Sequence, residues 1–502
     1  MTHVARSTFI IAVFFGLEKV LGLLRRLIIN RQFGGSAALD AFETANTLPD
    51  LLFAIIAGGA LAIALIPVLS EYLERDGRPG MWDLFSRVAN LVFITTAALS
   101  LVVALSANVV VRWLAPGFPA DQQALVAELM RLNLISTLLF SLSGLVMAGL
   151  QTNQHFLLPA IAPSMYDIGG LFGLIILAPE SGYHIGSVTL PAYGMGIYGV
   201  LYGTVIGSAL FLLVQLPGLI IYQFRWKPWI DLHNPGVLQV IHVLVPRALN
   251  VLFFNLIFIF QERFASYLVT GSVNALSLGW LFMQVPETLI GTAIGTALLP
   301  TLSEQIARGE KEQFQISLNR SLRAILALTI PITILLIVVM PPAVSVLGLN
   351  PASADLVVWT ARGFLLGLVG HSLLEISVRA FYAQQNARVP VIAAGVTLVM
   401  FIAIGAVLSL RLGAPGIGLA SSIVFTGEAL ALWFLLSRRF SGLLATGRML
   451  YRVALGTGVS SLIASIFMSQ SSSLIIGMGT LIIGGLVVIP FILPEIRLLL
   501  KL

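Results

Sequence analysis

Four cations crowd an otherwise apolar stretch. The segment KVLGLLRRLIINRQFGGSAALD, residues 19–40, holds Lys19, Arg25, Arg26 and Arg31 and ends on Asp40. Clustered cations suit an anion of the pyrophosphate type, because arginine presents a planar fork of donors that meets phosphate oxygens in pairs. Helical spacing places Lys19 and Arg26 on one face and Glu18 and Arg25 on another. Glu18 is close enough in sequence to neutralise a neighbouring cation. Asp167 lies beside Gly169 and Gly170, and Arg247 follows Pro246. His371, Glu375 and Arg379 recur every four residues, which aligns all three on one helix face and lets Glu375 pair with either neighbour.

The elements that carry these groups follow from composition. The 502 residues are 58% hydrophobic and 10% charged, with mean hydropathy +0.98. A soluble domain is about a quarter charged, so the composition is that of a polytopic membrane protein. A bilayer core needs about 20 apolar residues per helix, and cutting at polar and Pro/Gly-rich breaks predicts about fourteen helical spans. The runs are too long and too uniformly apolar for the strands of a membrane barrel. The first apolar run lacks a small-residue cleavage site and reads as a retained span. Basic residues recur in alternate loops: Arg75 and Arg78, Arg225 and Lys227, Arg308 and Lys311, Arg388, then Arg438, Arg439 and Arg448. Loops 115–122, 179–192, 342–354 and 469–472 contain no Lys or Arg. Because basic loops stay in the cytoplasm, the span number is expected to be even and both termini cytoplasmic.

Membrane depth sharpens the readings of individual charges. An ionised group there faces a wet cavity or a partner. Arg26 and Arg31 also fit a simpler role, snorkelling to headgroups. Pro246 kinks its helix and opens a polar face, so Arg247 is either a cavity cation from the second half or a snorkelling residue at a span end. Asp167 is either a gating or coupling acid or a hydrogen-bond partner for a neighbouring helix. The His371–Glu375–Arg379 row is either a proton- or ion-coupling site or a structural ladder. Glu262–Arg263 reads as a local pair, and Arg362 and Glu428 are isolated charges without an assigned role. Gly203–Gly207 and Gly291–Gly295 read as helix-packing spacings, and Trp226 and Trp229 as interfacial anchors. There is no cysteine, and the six histidines show no metal-ligand spacing, which excludes disulfides, thiol catalysis and Cys-based metal sites. No phosphate-binding glycine loop occurs. The net charge of +6 reflects basic loops and does not imply nucleic acid. No cofactor is expected. Energy would come from Na+ or H+, the membrane potential or substrate flux.

Two distant stretches match. AGGALAIALIPVLSEYLERDG (57–77) aligns with GTAIGTALLPTLSEQIARGE (291–310), bringing Pro67-x-Leu-Ser-Glu onto Pro300-x-Leu-Ser-Glu. AGLQTNQHFLLP, ending at Pro159, aligns with AFYAQQNARVP, ending at Pro390, at nearly the same offset. The two matches imply a duplicated unit of about 230 residues. Six spans per unit give both copies the same orientation, a parallel-repeat layout. The expected organisation is a bundle over 1–223, a second over 237–440, and two added helices over 449–502.

The block KVLGLLRRLIINRQFGGSAALDAFETANTLPDLLFAIIAGGALAIALIPVLSEYLE resembles the first helices of the MurJ (MviN) family, within the multidrug/oligosaccharidyl-lipid/polysaccharide exporter superfamily. APGF at 115–118, LPAIAPSMYDI at 158–168 and GTALLPTLSEQIARG add to the resemblance. It implies an all-α fold of two six-helix repeats around a central cavity plus two C-terminal helices. It implies a non-enzymatic lipid II flippase of the bacterial inner membrane, working by alternating access, with membrane lipids and cell-wall synthesis machinery as further partners. It implies that Lys19 and Arg25 match two family arginines that meet the pyrophosphate, and that Asp40 matches an acid opening the second helix. Arg26, and Arg247 from the other half, complete the expected binding set. The chain departs from the family at Phe53 and Gly58, where arginine and glutamate are usual, and at Trp280, Leu281 and Gln284, where an Asp-Arg pair and a Glu are usual. Those departures leave open a different polyprenyl-pyrophosphate-linked glycan, or a non-transporting cell-wall scaffold.

Overall fold

Backbone polar groups in hydrocarbon must be satisfied within their own segment, so long apolar runs fold as helices. The computed structural model describes residues 3–56, 59–440, 447–470 and 473–499. It is helical nearly throughout, relieved by a short antiparallel pair, His184–Ile185 with Val188–Thr189. The chain divides into two units, Met1–Ile259 and Phe260–Leu502.

The first unit contains α1 (His3–Phe33), α2 (Ala37–Ile56), α3 (Gly59–Leu114), α4 (Ala120–Thr152), α5 (Leu157–Phe172), α6 (Ile197–Leu213), α7 (Leu216–Ile221) and most of α8 (Pro235–Ala265). The second continues with α9 (Ser272–Glu287), α10 (Ala293–Ala307), α11 (Lys311–Ser345), α12 (Pro351–Leu365), α13 (Leu368–Ala383) and α14 (Arg388–Leu412). It ends with α15 (Ala414–Arg439), α16 (Gly447–Gln470) and α17 (Leu474–Leu499). Helix α3 is two helices in one, broken at Gly77 (φ 66°, ψ −173°), a backbone state that glycine alone adopts freely.

Among the described residues, eleven helical segments are long and apolar enough to cross a membrane, against the fourteen expected. Part of the difference has a clear cause. Helix α2 carries Asp40, Glu43 and Asp50 within 20 residues, too much charge for an apolar span, and the segment Leu65–Leu114 counts once although Gly77 divides it.

The two segments matched in sequence end their helices alike. Helix α4 closes with the His155 N–H on the Leu150 carbonyl (2.9 Å), and α13 closes with the Asn386 N–H on the Phe381 carbonyl (3.0 Å). Gln154 (φ 60°) and Gln385 (φ 56°) supply the left-handed residue of each turn, and a proline follows at 159 and 390. The same helix-ending motif also closes α7, where Gln223 (φ 56°) precedes the Phe224 N–H on the Leu219 carbonyl (2.9 Å).

The first unit's core gathers Leu65, Leu69, Trp82 and Phe85 of α3 with Leu145 and Leu150 of α4. The second gathers Phe314 and Leu318 of α11 with Phe381 of α13 and Leu432 of α15. Helices α5 and α6 touch backbone to backbone. A β-carbon added to Gly169 would fall 2.3 Å from Gly207, and one added to Gly173 would fall 2.6 Å from Gly203. The Gly203–Gly207 spacing is therefore a packing seam, as small-residue repeats are in membrane helices.

A charged cavity within the first unit

A cavity of about 400 Å³ lies inside the first unit, walled by α1, α2, α4, α5 and α6. Arg25 and Arg26 enter it from α1, and Glu43 and Asp50 from α2. Arg25 Nε approaches Asp167 Oδ1 at 3.1 Å. That N–H does not point at the carboxylate, so the contact is a charge pair more than a hydrogen bond. Arg25 Nη1 donates to the Tyr166 hydroxyl at 3.1 Å. Gly170 makes the approach possible, since a β-carbon there would lie 2.8 Å from Arg25 Cδ. Arg26 Nη1 donates to Glu43 Oε1 at 2.7 Å.

Asp50 is exposed to the cavity and makes no hydrogen bond or ion pair among the described residues. Asn133 donates to Asn46 across the α2–α4 boundary at 2.7 Å. An aromatic wall backs the charges, with Phe140 5.6 Å from Phe53, 5.1 Å from Tyr166 and 5.5 Å from Phe211, ring centre to ring centre. Ion pairs gain strength in such a low-dielectric setting, and removing one partner leaves a costly uncompensated charge. The two arginines are therefore latched. An incoming anion must take each guanidinium from a carboxylate that already holds it.

The structure gathers some of the expected residues and separates others. Arg25 and Arg26 line this cavity, and Asp167 joins them through its contact with Arg25. Lys19 does not: its side chain is 82% exposed and rests on Glu18 at 3.2 Å. Asp40 is buried on α2 but does not line the cavity. The side chain of Arg247 and residue Gly58 lie outside the described residues. In α13, Glu375 and Arg379 form an ion pair, and Arg379 also reaches Thr296 at 3.3 Å. His371 leaves that row. It is buried against Trp280 (5.4 Å) and Phe425 (4.3 Å), and its Nε2 has no hydrogen-bond partner. Trp226 donates to Asn90 at 2.8 Å, and Trp229 stacks under Arg87, so both tie a loop to α3.

Reading the sequence missed Glu43, Asp50 and Tyr166. A signal existed: Asp40, Glu43 and Asp50 are spaced by three and seven, one face of one helix.

Known proteins place this architecture. A family model described as lipid II flippase MurJ matches residues 29–487. The chain belongs to the MurJ family. A lipid II flippase MurJ of Burkholderia cenocepacia is 30% identical over 78% of this chain and 76% of its own length. A probable lipid II flippase MurJ of Vibrio cholerae is 24% identical, covering 89% of each. Among solved structures, a lipid II flippase MurJ in an inward closed conformation shares the fold at TM-score 0.77, with 20% identity over 96% of this chain and 98% of that one. An inward-facing multidrug resistance MATE family transporter of the MOP superfamily shares it at 0.70, with 13% identity over 86% and 98%. The positions that the sequence resemblance marks as departures carry no charge in this chain. Phe53 packs at a tilt against Phe140 and Trp280 meets Phe364 and His371 edge to face, while Leu281 and Gln284 add no charge to α9.

Proposed function

We propose that this MurJ family member is a lipid II flippase, carrying the undecaprenyl-pyrophosphate-linked precursor from the inner to the outer leaflet of the bacterial cytoplasmic membrane. The observation that carries the reading is the arginine pair Arg25–Arg26 held in one cavity of a chain matched to the family from 29 to 487. The pyrophosphate displaces Asp167 from Arg25 and Glu43 from Arg26, exchanging carboxylate for phosphate at the same forks. With the headgroup gone, the carboxylates return and the cavity is neutralised again. That exchange offers alternating access a switch with two balanced states. Arg247 extends the cationic path and Asp40 acts at its outer end, while Lys19, exposed and resting on Glu18, stays off it. The bundles 1–223 and 237–440 move as the working halves, and 449–502 is accessory. Both termini are cytoplasmic, and coupling draws on Na+, H+ or the membrane potential. Membrane lipids and the cell-wall synthesis machinery are its surroundings.

The aromatic infill at Phe53 and Trp280 favours a second reading, another polyprenyl-pyrophosphate-linked glycan as cargo. Complementation separates them. Wild type should rescue cells depleted of their own lipid II flippase, and Arg25→Ala with Arg26→Ala should not, at equal membrane levels. Rescue by the double variant removes the site. Failure of wild type despite normal levels moves the cargo to the other glycan.

A further inference from the structure

Far from the cavity in sequence, one end of α11, α16 and α17 concentrates positive charge around a single buried acid. Glu495 of α17 is fully buried, and its Oε1 takes both Arg323 of α11 (3.0 Å) and Arg452 of α16 (2.7 Å). One carboxylate against two guanidiniums leaves an uncompensated positive charge. Glu495 Oε2 and Arg323 Nε are buried without a hydrogen-bond partner. Arg320 lies one turn from Arg323, Arg448 one turn from Arg452, and Arg497 two residues beyond Glu495. Arg448 and Arg497 are exposed and make no ion pair among the described residues.

Each of the last two helices also carries a bare apolar stripe that leads to this end. On α16, Leu455, Val459, Leu462 and Ile466 are exposed at helical spacing, and Arg452 heads the row three residues before it. On α17, Ile475, Met478, Ile482, Leu486 and Ile489 are exposed, and Arg497 continues the row two turns on. The opposite side of α17 is its packing seam, with Gly477 against Pro342 and Gly484 against Leu335 of α11. The α17 stripe is therefore separate from its packing surface. Two hydrocarbon-facing rows end at guanidiniums whose one acid is already shared. That pattern matches a molecule with apolar chains and an anionic phosphate head, since basic pockets at helix ends select such lipids.

We propose that the Arg323–Arg452–Glu495 cluster, with Arg448 and Arg497, is a binding site for the phosphate of an anionic glycerophospholipid whose acyl chains lie along α16 and α17. The site does not depend on the cargo proposed above. The test uses the purified full-length chain, stripped of lipid, with phosphatidylglycerol or phosphatidylcholine added and bound lipid counted by native mass spectrometry. Phosphatidylglycerol should bind at least tenfold more tightly. Arg448→Gln with Arg497→Gln, which breaks no ion pair, should lose about fivefold per arginine. Arg452→Gln should lose more. Glu495→Gln frees both guanidiniums, so it should bind phosphatidylglycerol more tightly while unfolding at lower temperature. A merely structural triad predicts the lower temperature without the tighter binding. Equal binding of the two lipids, or no loss in the double arginine variant, overturns the proposal. So does displacement of phosphatidylglycerol by equimolar undecaprenyl pyrophosphate, which would make this a prenyl-pyrophosphate site.

Discussion

Two segments that align in sequence make helix contacts of opposite kinds. Counting equal steps from Pro159 and Pro390 sets Asp167 against Leu398 and Gly170 against Phe401. In the first unit, α1 meets α5 through Arg25, with Asp167 as its partner and Gly170 making room. In the second, α8 meets α14 through Phe264 and Phe401, 6.2 Å between ring centres. The acids after proline differ in the same sense. Asp50, after Pro49, is exposed to a cavity. Glu287, after Pro286, is buried and accepts from Thr292 at 3.2 Å. Of the two aligned segments, one keeps charge at its helix contact and the other fills it with rings. The lesson is that the polar work of this fold is asymmetric even where its backbone repeats.

The comparison breaks most visibly at Arg25. Arg25→Ala leaves Asp167 buried and unpaired, which should cost about 3–5 kcal/mol and abolish complementation. The charge-free pair Arg25→Leu with Asp167→Leu, following the apolar character of the second unit, should recover most of that stability in thermal unfolding and none of the activity. Recovered activity would show that the charge is structural. Phe401→Ala should cost about 3 kcal/mol through the void it opens, read as a lower unfolding temperature. Gly170→Ala sharpens the contrast more gently. Its new carbon must push Arg25 aside, for about 1–3 kcal/mol and a measurable loss of complementation. Asp50→Asn should change stability by less than about 0.5 kcal/mol, while shifting the dependence of transport on pH or Na+ in vesicles. Lys19→Ala should move unfolding by no more than about 1 kcal/mol and leave complementation intact, the mildest outcome of the set.

What could be read from sequence follows how local each interaction is. Helical spans, the duplication and the depth of Arg25 are properties of short windows. The partner of Arg25 lies in another helix, and nothing local joins residues 25 and 167. His371 shows the converse. Spacing by four let Glu375 pair with either His371 or Arg379; it takes Arg379, while Trp280 and Phe425 arrive from α9 and α15 and enclose the His371 ring. The carboxylates at 43 and 50 were legible as a face, but Arg26, which Glu43 holds, sits on a different helix. The charge that marks α2 as functional is also what removes it from a count of apolar spans.

The glycine seam between α5 and α6 has a mechanical meaning. Backbones in such close apposition cannot roll or slide past one another without colliding, so α5 and α6 behave as one plank. Asp167 is bolted to that plank. In the exchange proposed above, parting Arg25 from Asp167 would then fall to the arginine side chain or to α1 moving against that slab.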